Sequence, residues 1–154
     1  MKYFSQFVLS ASAVTAHSLF QDIWVGTSDE AQSCARVPPN NSPISNVESN
    51  DLRCNMGGTK AAAEVCTVEA GSSLTVEMHA QPGERSCSTP AIGGNHFGPV
   101  LVYMSKVDDA TTADGSSDWF KVAEDGYDAA VGSSSWGTEL LNKNCGKRAF
   151  TGQL

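Results

Sequence analysis

Two histidines, His17 and His96, are the residues of this sequence best suited to holding a metal ion. His17 follows a stretch, residues 1–16, whose basic start, short apolar run and small-residue end predict a cleavable secretory signal. Cleavage after Ala16 would make His17 the first residue, so that its amine and its ring nitrogen could chelate one ion together. Cleavage after Ala13 also fits the small-residue rule and would remove that arrangement.

His96 would add a third nitrogen ligand to such a site. Three nitrogen atoms from two histidines favour copper, which stands at the top of the affinity order of the divalent metals. Zinc stays open as an alternative, since it usually takes a fourth protein ligand or a catalytic water. We interpret the remaining histidine, His79, as structural rather than as a ligand.

An alternating pattern predicts the strand that comes before His96 in the chain. Apolar and polar side chains alternate across residues 73–79, the period of two that indicates a strand with one buried and one wet face. The wet face would carry Thr75, Glu77 and His79.

A long polar loop leads from this strand to His96, which comes just after the pair Gly93-Gly94. A loop end beside a rigid strand is a common place for a functional residue. The other apolar runs are short and are separated by Gly, Ser and Pro turns, which is typical of an antiparallel sandwich. Strands are predicted at Leu19–Val25, Glu64–Val68, Ser73–His79, Pro99–Lys106 and Asp118–Val122.

Length and charge limit the possible functions. The 154 residues are enough for one domain with a core but not for two. A net charge of −7 argues against nucleic acid and anionic membranes as partners, because both reward clustered Lys and Arg. A neutral polysaccharide is compatible with that charge, and no stretch after residue 16 is long and apolar enough for a transmembrane helix.

Five cysteines are spread along the chain without a CxxC pair, and this spacing argues against a zinc ribbon. In a secreted chain, disulfides are the expected state of cysteine. Because the number is odd, one thiol is left without a mate, and the pairing stays open. The cysteines are Cys34, Cys54, Cys66, Cys87 and Cys145.

Several segments of the chain follow one another in the order found in a known family. They are HSLFQDIWV from His17, SNDLRCN from Ser49, VEMHAQPGERSC from Val76, AIGGNHFGPVLVYMSKV from Ala91, ADGSSDWFKVAEDGY from Ala113 and WGTELL from Trp136. Together they resemble the fungal lytic polysaccharide monooxygenases of auxiliary activity family nine, formerly glycoside hydrolase family sixty-one. The resemblance covers the chain from His17 to about Lys147.

The resemblance implies an all-β fold, an immunoglobulin-like antiparallel β-sandwich with its metal on a flat end face. One copper ion would be held by His17 through two nitrogen atoms and by His96 through one. The implied domains are a signal peptide at 1–16 and a catalytic domain at 17–154.

After Lys147 the sequence departs from the family pattern that the resemblance supplies. That pattern continues into strands carrying a further histidine, a glutamine and an axial tyrosine, for which no match is found here. The sandwich is therefore expected to lack its last strands and to be incomplete at its C-terminus. The resemblance also implies that Cys54 pairs in the family with a cysteine on a late strand that this chain does not reach.

The implied function is that of a secreted copper-dependent monooxygenase that oxidatively cleaves glycosidic bonds of cellulose or related β-glucans. His17 and His96 would be its catalytic and metal-binding residues. Its partners would be the glucan, an external electron donor, and hydrogen peroxide or oxygen, and we expect a monomer with no nucleic-acid or membrane partner.

Two other hypotheses stay open. One is a secreted β-sandwich that binds glucan or copper without turnover. The other is a disulfide-stabilised secreted effector without a metal, which a mature N-terminus other than His17 would favour.

Overall fold

Short apolar runs separated by turns form the strands of an all-β architecture. The computed structural model describes residues 17–93, 96–131 and 136–151, so the predicted signal peptide lies outside the described residues. Within them the strands are β1 (Leu19–Val25), β2 (Ser28–Ala31), β3 (Ser73–His79), β4 (Val100–Ser105), β5 (Trp119–Asp125) and β6 (Lys147–Thr151). The helices are α1 (Asp51–Cys54) and α2 (Gly137–Lys143), with a 3-10 turn at Ala129–Val131.

The strands build two antiparallel sheets. The larger has the order β2-β1-β3-β6, and the smaller is the pair β4-β5. An apolar cluster of Ile92, Val100 and Leu141, with Met78 packed against it, joins β4, α2 and β3. This is the predicted antiparallel β-sandwich. No helix in the described part of the chain is both long and apolar enough to cross a membrane.

Four of the five predicted strands are confirmed. β1 and β3 have the predicted bounds, β4 is one residue shorter at each end, and β5 begins one residue late and runs on to Asp125. The prediction of a strand at Glu64–Val68 is wrong. That segment is fixed by the disulfide Cys34–Cys66 and by one backbone bond from Glu64 N to Ser33 O of 2.8 Å, and it pairs in no ladder of the described chain.

The prediction that the polar face of β3 meets water is also wrong. Glu77 and His79 are each only 2% exposed. The Arg85 guanidinium and the Trp24 indole donate hydrogen bonds to the Glu77 carboxylate and replace its water. Alternation therefore identified the strand, but it carried no information about what covers the strand's polar face.

A β-bulge in β1 turns one polar side chain towards the loop that follows β3. Gln21 is the unpaired residue between the pairs Phe20↔Met78 and Asp22↔Glu77. Its buried side-chain Nε2 donates to Gln81 O at 3.1 Å and to Glu84 O at 2.9 Å, and its Oε1 accepts from Gly83 N at 2.7 Å.

The segment after Gly146 continues the larger sheet instead of leaving it. Gly146 has φ +76°, and a Cβ there would overlap the Met78 carbonyl, so this position needs glycine. Met78 N donates to Gly146 O at 2.8 Å, which brings β6 beside β3. Arg148 and Phe150 pair with Val76 and Leu74 of β3.

Two disulfides and one free thiol account for the cysteines. The bridges are Cys34–Cys66 and Cys87–Cys145, and Cys54 is free. Two bridges with one thiol left over agree with the odd count. The free thiol is the cysteine for which the resemblance implied a partner beyond this chain.

Candidate metal centre

His17 lies two residues before β1, and its side chain is exposed. The β1–β3 ladder ends at the pair Leu19↔His79, so His17 extends beyond it. The Asn41 side chain bridges the two strand ends, because its Nδ2 donates to Ala80 O at 2.6 Å and to His17 O at 3.4 Å. The backbone of His17 is thereby tied to the end of β3.

His96 lies four residues before β4, and its side chain is exposed as well. Its Nδ1 is 3.1 Å from Gly93 O. A neutral imidazole with its proton on Nδ1 would donate to this carbonyl and keep its lone pair on Nε2. Metal-binding histidines commonly have one ring nitrogen held in this way while the other binds the ion.

Each predicted ligand comes shortly before a strand whose first residues are connected to Met78 of β3. His17 precedes the start of β1, where Phe20 pairs with Met78. Met78 packs on the apolar cluster that contains Val100, the first residue of β4, and His96 precedes that strand. The corner where β1 and β4 begin is therefore joined through Met78, and one of the two histidines precedes each of these strands.

The loop of residues 80–99, which carries His96, is anchored along its length. The contacts that anchor it join distant parts of the sequence, and no sequence pattern predicts them. They are the Gln21 amide on residues 81–84, the ion pairs of Arg85, the bridge Cys87–Cys145, and hydrogen bonds from α2 to Ile92 and Gly98.

Arg85 holds together three acidic side chains at the start of this loop. Asp22 and Glu77 are direct cross-strand partners and are 1% and 2% exposed, a like-charge arrangement that is destabilising unless a cation compensates it. Arg85 Nη2 donates to Glu77 Oε2 at 2.6 Å, and Nη1 donates to Asp29 Oδ2 at 2.7 Å. Its Nε lies 3.4 Å from Asp22 Oδ2, an atom that accepts no hydrogen bond from the described residues.

The pKa values of the two buried carboxyl groups in this cluster are shifted in opposite directions. Burial works to raise the pKa of Glu77, but hydrogen bonds from Arg85, His79 and Trp24 outweigh it and lower that pKa to about 2. Burial raises the pKa of Asp22, because the charge of Arg85 offsets only part of its lost hydration. His79 Nε2 lies 2.8 Å from Glu77 Oε1, so this histidine is a buried member of the cluster.

The donors available at the corner limit which metal site is possible. The described residues contain no group of three His, Cys, Asp or Glu side chains that could hold an ion. Two exposed imidazoles alone would hold an ion weakly, so a third donor is needed. The amine of His17 would supply it if His17 were the first residue of the mature chain, and an all-nitrogen set of this kind suits copper.

Comparison with known proteins places the chain in a family. The model of Auxiliary Activity family 9 (formerly GH61) matches residues 17–152, so the match extends beyond Lys147, and the expected departure at that residue is wrong. The match begins at His17. Residues 147–151, which form β6, lie within it.

Curated relatives are longer than this chain. It is 52% identical over 140 residues to the AA9 family lytic polysaccharide monooxygenase E of Botryotinia fuckeliana, covering 91% of this chain and 57% of that protein. It is 54% identical over 144 residues to the enzyme of the same name from Neurospora crassa, covering 90% of this chain and 43% of that protein. The chain thus spans about half the length of the curated relatives that it matches.

Solved structures agree with the fold. The structure titled CvAA9A superposes with a TM-score of 0.75 at 30% identity, over 88% of this chain and 58% of that chain. The crystal structure of HiLPMO9B superposes with a TM-score of 0.67 at 23% identity and supports the fold alone. On the family match and these relatives, the chain belongs to Auxiliary Activity family 9.

Proposed function

We propose that this chain carries the copper site of a secreted, monomeric monooxygenase that oxidatively cleaves glycosidic bonds in cellulose or a related β-glucan. The observation that supports the proposal is that two exposed histidines, His17 and His96, precede the strands β1 and β4, which are joined through Met78. The family match that begins at His17 supports it. The matched relatives are named as lytic polysaccharide monooxygenases.

The residues at the corner fit one copper ion. His17 would supply its amine and a ring nitrogen, and His96 would supply Nε2 while its Nδ1 faces Gly93 O. Asn41 would hold the His17 backbone in place through its bond to the His17 carbonyl. Copper bound there would supply the redox chemistry that uses electrons from an external donor together with hydrogen peroxide or oxygen.

The surroundings of the ligands suit an insoluble, uncharged substrate. Both histidines are exposed, so a polymer too large to enter a cavity could still reach an ion held between them. Phe97, directly after His96, is 58% exposed and offers an apolar surface beside the site. A net charge of −7 does not repel a neutral glucan.

Copper titration of the secreted protein tests the binding site. Mass spectrometry first establishes whether His17 is the N-terminal residue, and calorimetry then measures copper binding. We expect tight one-to-one binding that His96→Ala weakens by at least about tenfold, since a direct ligand is lost. Phe97→Ala is the matched control, because it removes an exposed neighbouring side chain and leaves both histidines. Equal binding by wild type and His96→Ala would contradict the proposed site.

Product analysis tests the reaction. Cellulose incubated with the copper-loaded protein, a reductant and hydrogen peroxide is expected to release oxidised oligosaccharides, and His96→Ala is expected to release none. Tight copper binding without oxidised products would instead support the alternative, a glucan- or copper-binding sandwich without turnover. A mature N-terminus other than His17 with no copper binding would support the metal-free secreted protein.

A further inference from the structure

Asn142 of α2 binds the backbone of Ile92 in both directions. Ile92 N donates to Asn142 Oδ1 at 2.8 Å, and Asn142 Nδ2 donates to Ile92 O at 3.0 Å. A neighbouring β-strand would satisfy the same two groups in this way. Ile92 is also held through its side chain, which packs with Leu141 in the apolar cluster.

Thr138, one helical turn earlier, holds the chain on the other side of His96. Gly98 N donates to Thr138 Oγ1 at 3.2 Å, and Thr138 N donates to Gly98 O at 3.1 Å. Residues four apart lie on the same face of a helix. One face of α2 therefore bonds the loop both before and after His96.

We propose that Thr138 and Asn142 are positioning residues that set the place and orientation of the His96 imidazole. The two anchors are about 6 Å apart along the helix axis, whereas the chain from Ile92 to Gly98, with five residues between them, could extend to about 20 Å. The anchors thus restrict a segment that could otherwise sample many conformations.

The orientation of the ring depends on the same anchors. Gly93, whose carbonyl lies 3.1 Å from His96 Nδ1, directly follows Ile92. Asn142 holds the peptide groups on both sides of the Ile92 Cα and so restrains where the next residue, Gly93, presents its carbonyl to the ring. The inference rests on the proposed metal-binding role of His96. In it, α2 orients this ligand without itself contacting the ion.

The main test replaces Asn142 and measures both the metal site and the metal-free loop. Asn142→Ala is expected to lower copper affinity by about tenfold, the usual effect of losing a group that orients a metal ligand. Its Cu(II) electron paramagnetic resonance spectrum is expected to change in hyperfine splitting. In the metal-free protein, amide hydrogen exchange across residues 91–99 is expected to accelerate. Asn144→Ala, at the exposed end of the same helix, is the matched control.

A pair of variants at Thr138 provides a second test that changes the fold less. Thr138→Val keeps the side-chain shape and removes the oxygen that accepts from Gly98 N. Thr138→Ser keeps that oxygen. We expect the valine variant to show the altered spectrum and faster exchange, and the serine variant to restore the wild-type values.

The outcomes separate this inference from the proposed function. If the wild type binds no copper, the proposed function fails, and unchanged exchange in Asn142→Ala and Thr138→Val would overturn the positioning role independently. If the wild type binds copper but these variants keep its affinity and spectrum, the positioning role alone fails. A loss of thermal stability with an unchanged spectrum and unchanged exchange across residues 91–99 would also overturn it, because it would assign these residues a merely structural role.

Discussion

The two sheets of this sandwich distribute polarity in opposite ways. The larger sheet buries the polar side chains of Gln21, Asp22, Glu77 and His79, all at most 2% exposed. The smaller sheet exposes apolar side chains, with Leu101, Tyr103, Trp119 and Phe120 between 43% and 52% exposed. Each sheet thus departs from the usual rule that apolar groups lie inside and polar groups outside.

The difference shows that burial here follows the available partners rather than side-chain polarity. In the larger sheet, the cation of Arg85 and the indole of Trp24 satisfy buried carboxylate oxygens. Leu101, Tyr103 and Trp119 lie on one face of the smaller sheet, and exposed apolar side chains that lie together are typical of contact sites. The stability of the larger sheet should therefore depend on buried paired charges more than that of the smaller sheet, whose ion pair Asp125–Arg148 is only partly buried.

The largest effect is expected from removing the shared cation. Arg85→Ala leaves Asp22 and Glu77 buried opposite each other with only the Lys147 ammonium, 3.8 Å from Glu77 Oε2, to offset their charge. Breaking such a pair costs about 3–5 kcal/mol. Urea unfolding measures the loss. Lys121→Ala breaks the exposed pair Lys121–Glu124 in the smaller sheet and is expected to leave the midpoint unchanged. Equal losses in the two variants would contradict the comparison.

A smaller but still large effect is expected in the apolar cluster that joins the sheets. Leu141 is 1% exposed, and Leu141→Ala is expected to cost about 2–5 kcal/mol through lost burial and the cavity that remains. The same change at Leu101, which is 43% exposed, should cost much less. Thermal unfolding of both variants decides the point, and a similar fall in melting temperature would mean that the smaller sheet is covered in solution.

The pH dependence of stability should come mainly from the larger sheet. The lowered pKa of Glu77 means that its contribution is complete above its ordinary value of 4.5 and is lost as the pH falls towards about 2. Asp22 acts with the opposite sign, because its raised pKa makes its charged form oppose folding above that pKa. The range from about pH 2 to about pH 7 covers the titration of both carboxyl groups. Urea unfolding midpoints measured across this range give the net effect of the two groups on stability.

Two variants separate these contributions. Glu77→Gln should flatten the fall in stability below pH 4.5, since the group that binds a proton on unfolding is gone. Asp22→Asn should raise stability at neutral pH, where the charged carboxylate opposes folding. A pH profile for Glu77→Gln that is identical to the wild type would rule out Glu77 as its origin.

The smallest effect on stability is expected on the open face of the smaller sheet. Tyr103 is 46% exposed and lies on the same face as Leu101 and Trp119, so Tyr103→Ser should change the free energy of unfolding by about 1 kcal/mol or less. It should nevertheless reduce self-association at high concentration, because it interrupts this apolar surface. Sedimentation analysis compares the variant with Lys121→Ala, and an unchanged association constant would show that this surface is not adhesive.

The sequence pattern was most reliable where a strand has one apolar face. Residues 19–25 and 73–79 were predicted with their observed bounds because each combines apolar side chains with flanking turns. β2 was missed because its residues, SDEA, are almost entirely polar. At Glu64–Val68 a strand-like pattern misled, because the segment is fixed by a disulfide and has no neighbouring strand in the described chain.

The candidate metal ligands could be predicted from their residue types, but the residues that hold them in place could not. His17 and His96 were singled out by a predicted cleavage point and by a glycine pair, and their metal-binding role stays a prediction. Asn41 and Asn142 act by bonding backbone groups far away in the sequence. Such contacts have no period or spacing, so only the folded structure reveals them.

The bridge Cys87–Cys145 closes a covalent ring that contains the His96 loop, the smaller sheet and α2. A protease that cut the exposed residues Ser116–Asp118 would divide the chain between His96 and the helix that anchors its loop. The two pieces would nevertheless remain one molecule as long as the bridge stayed oxidised. The ring therefore lets the corner survive a break in the backbone, and a reductant strong enough to open the bridge would remove that protection.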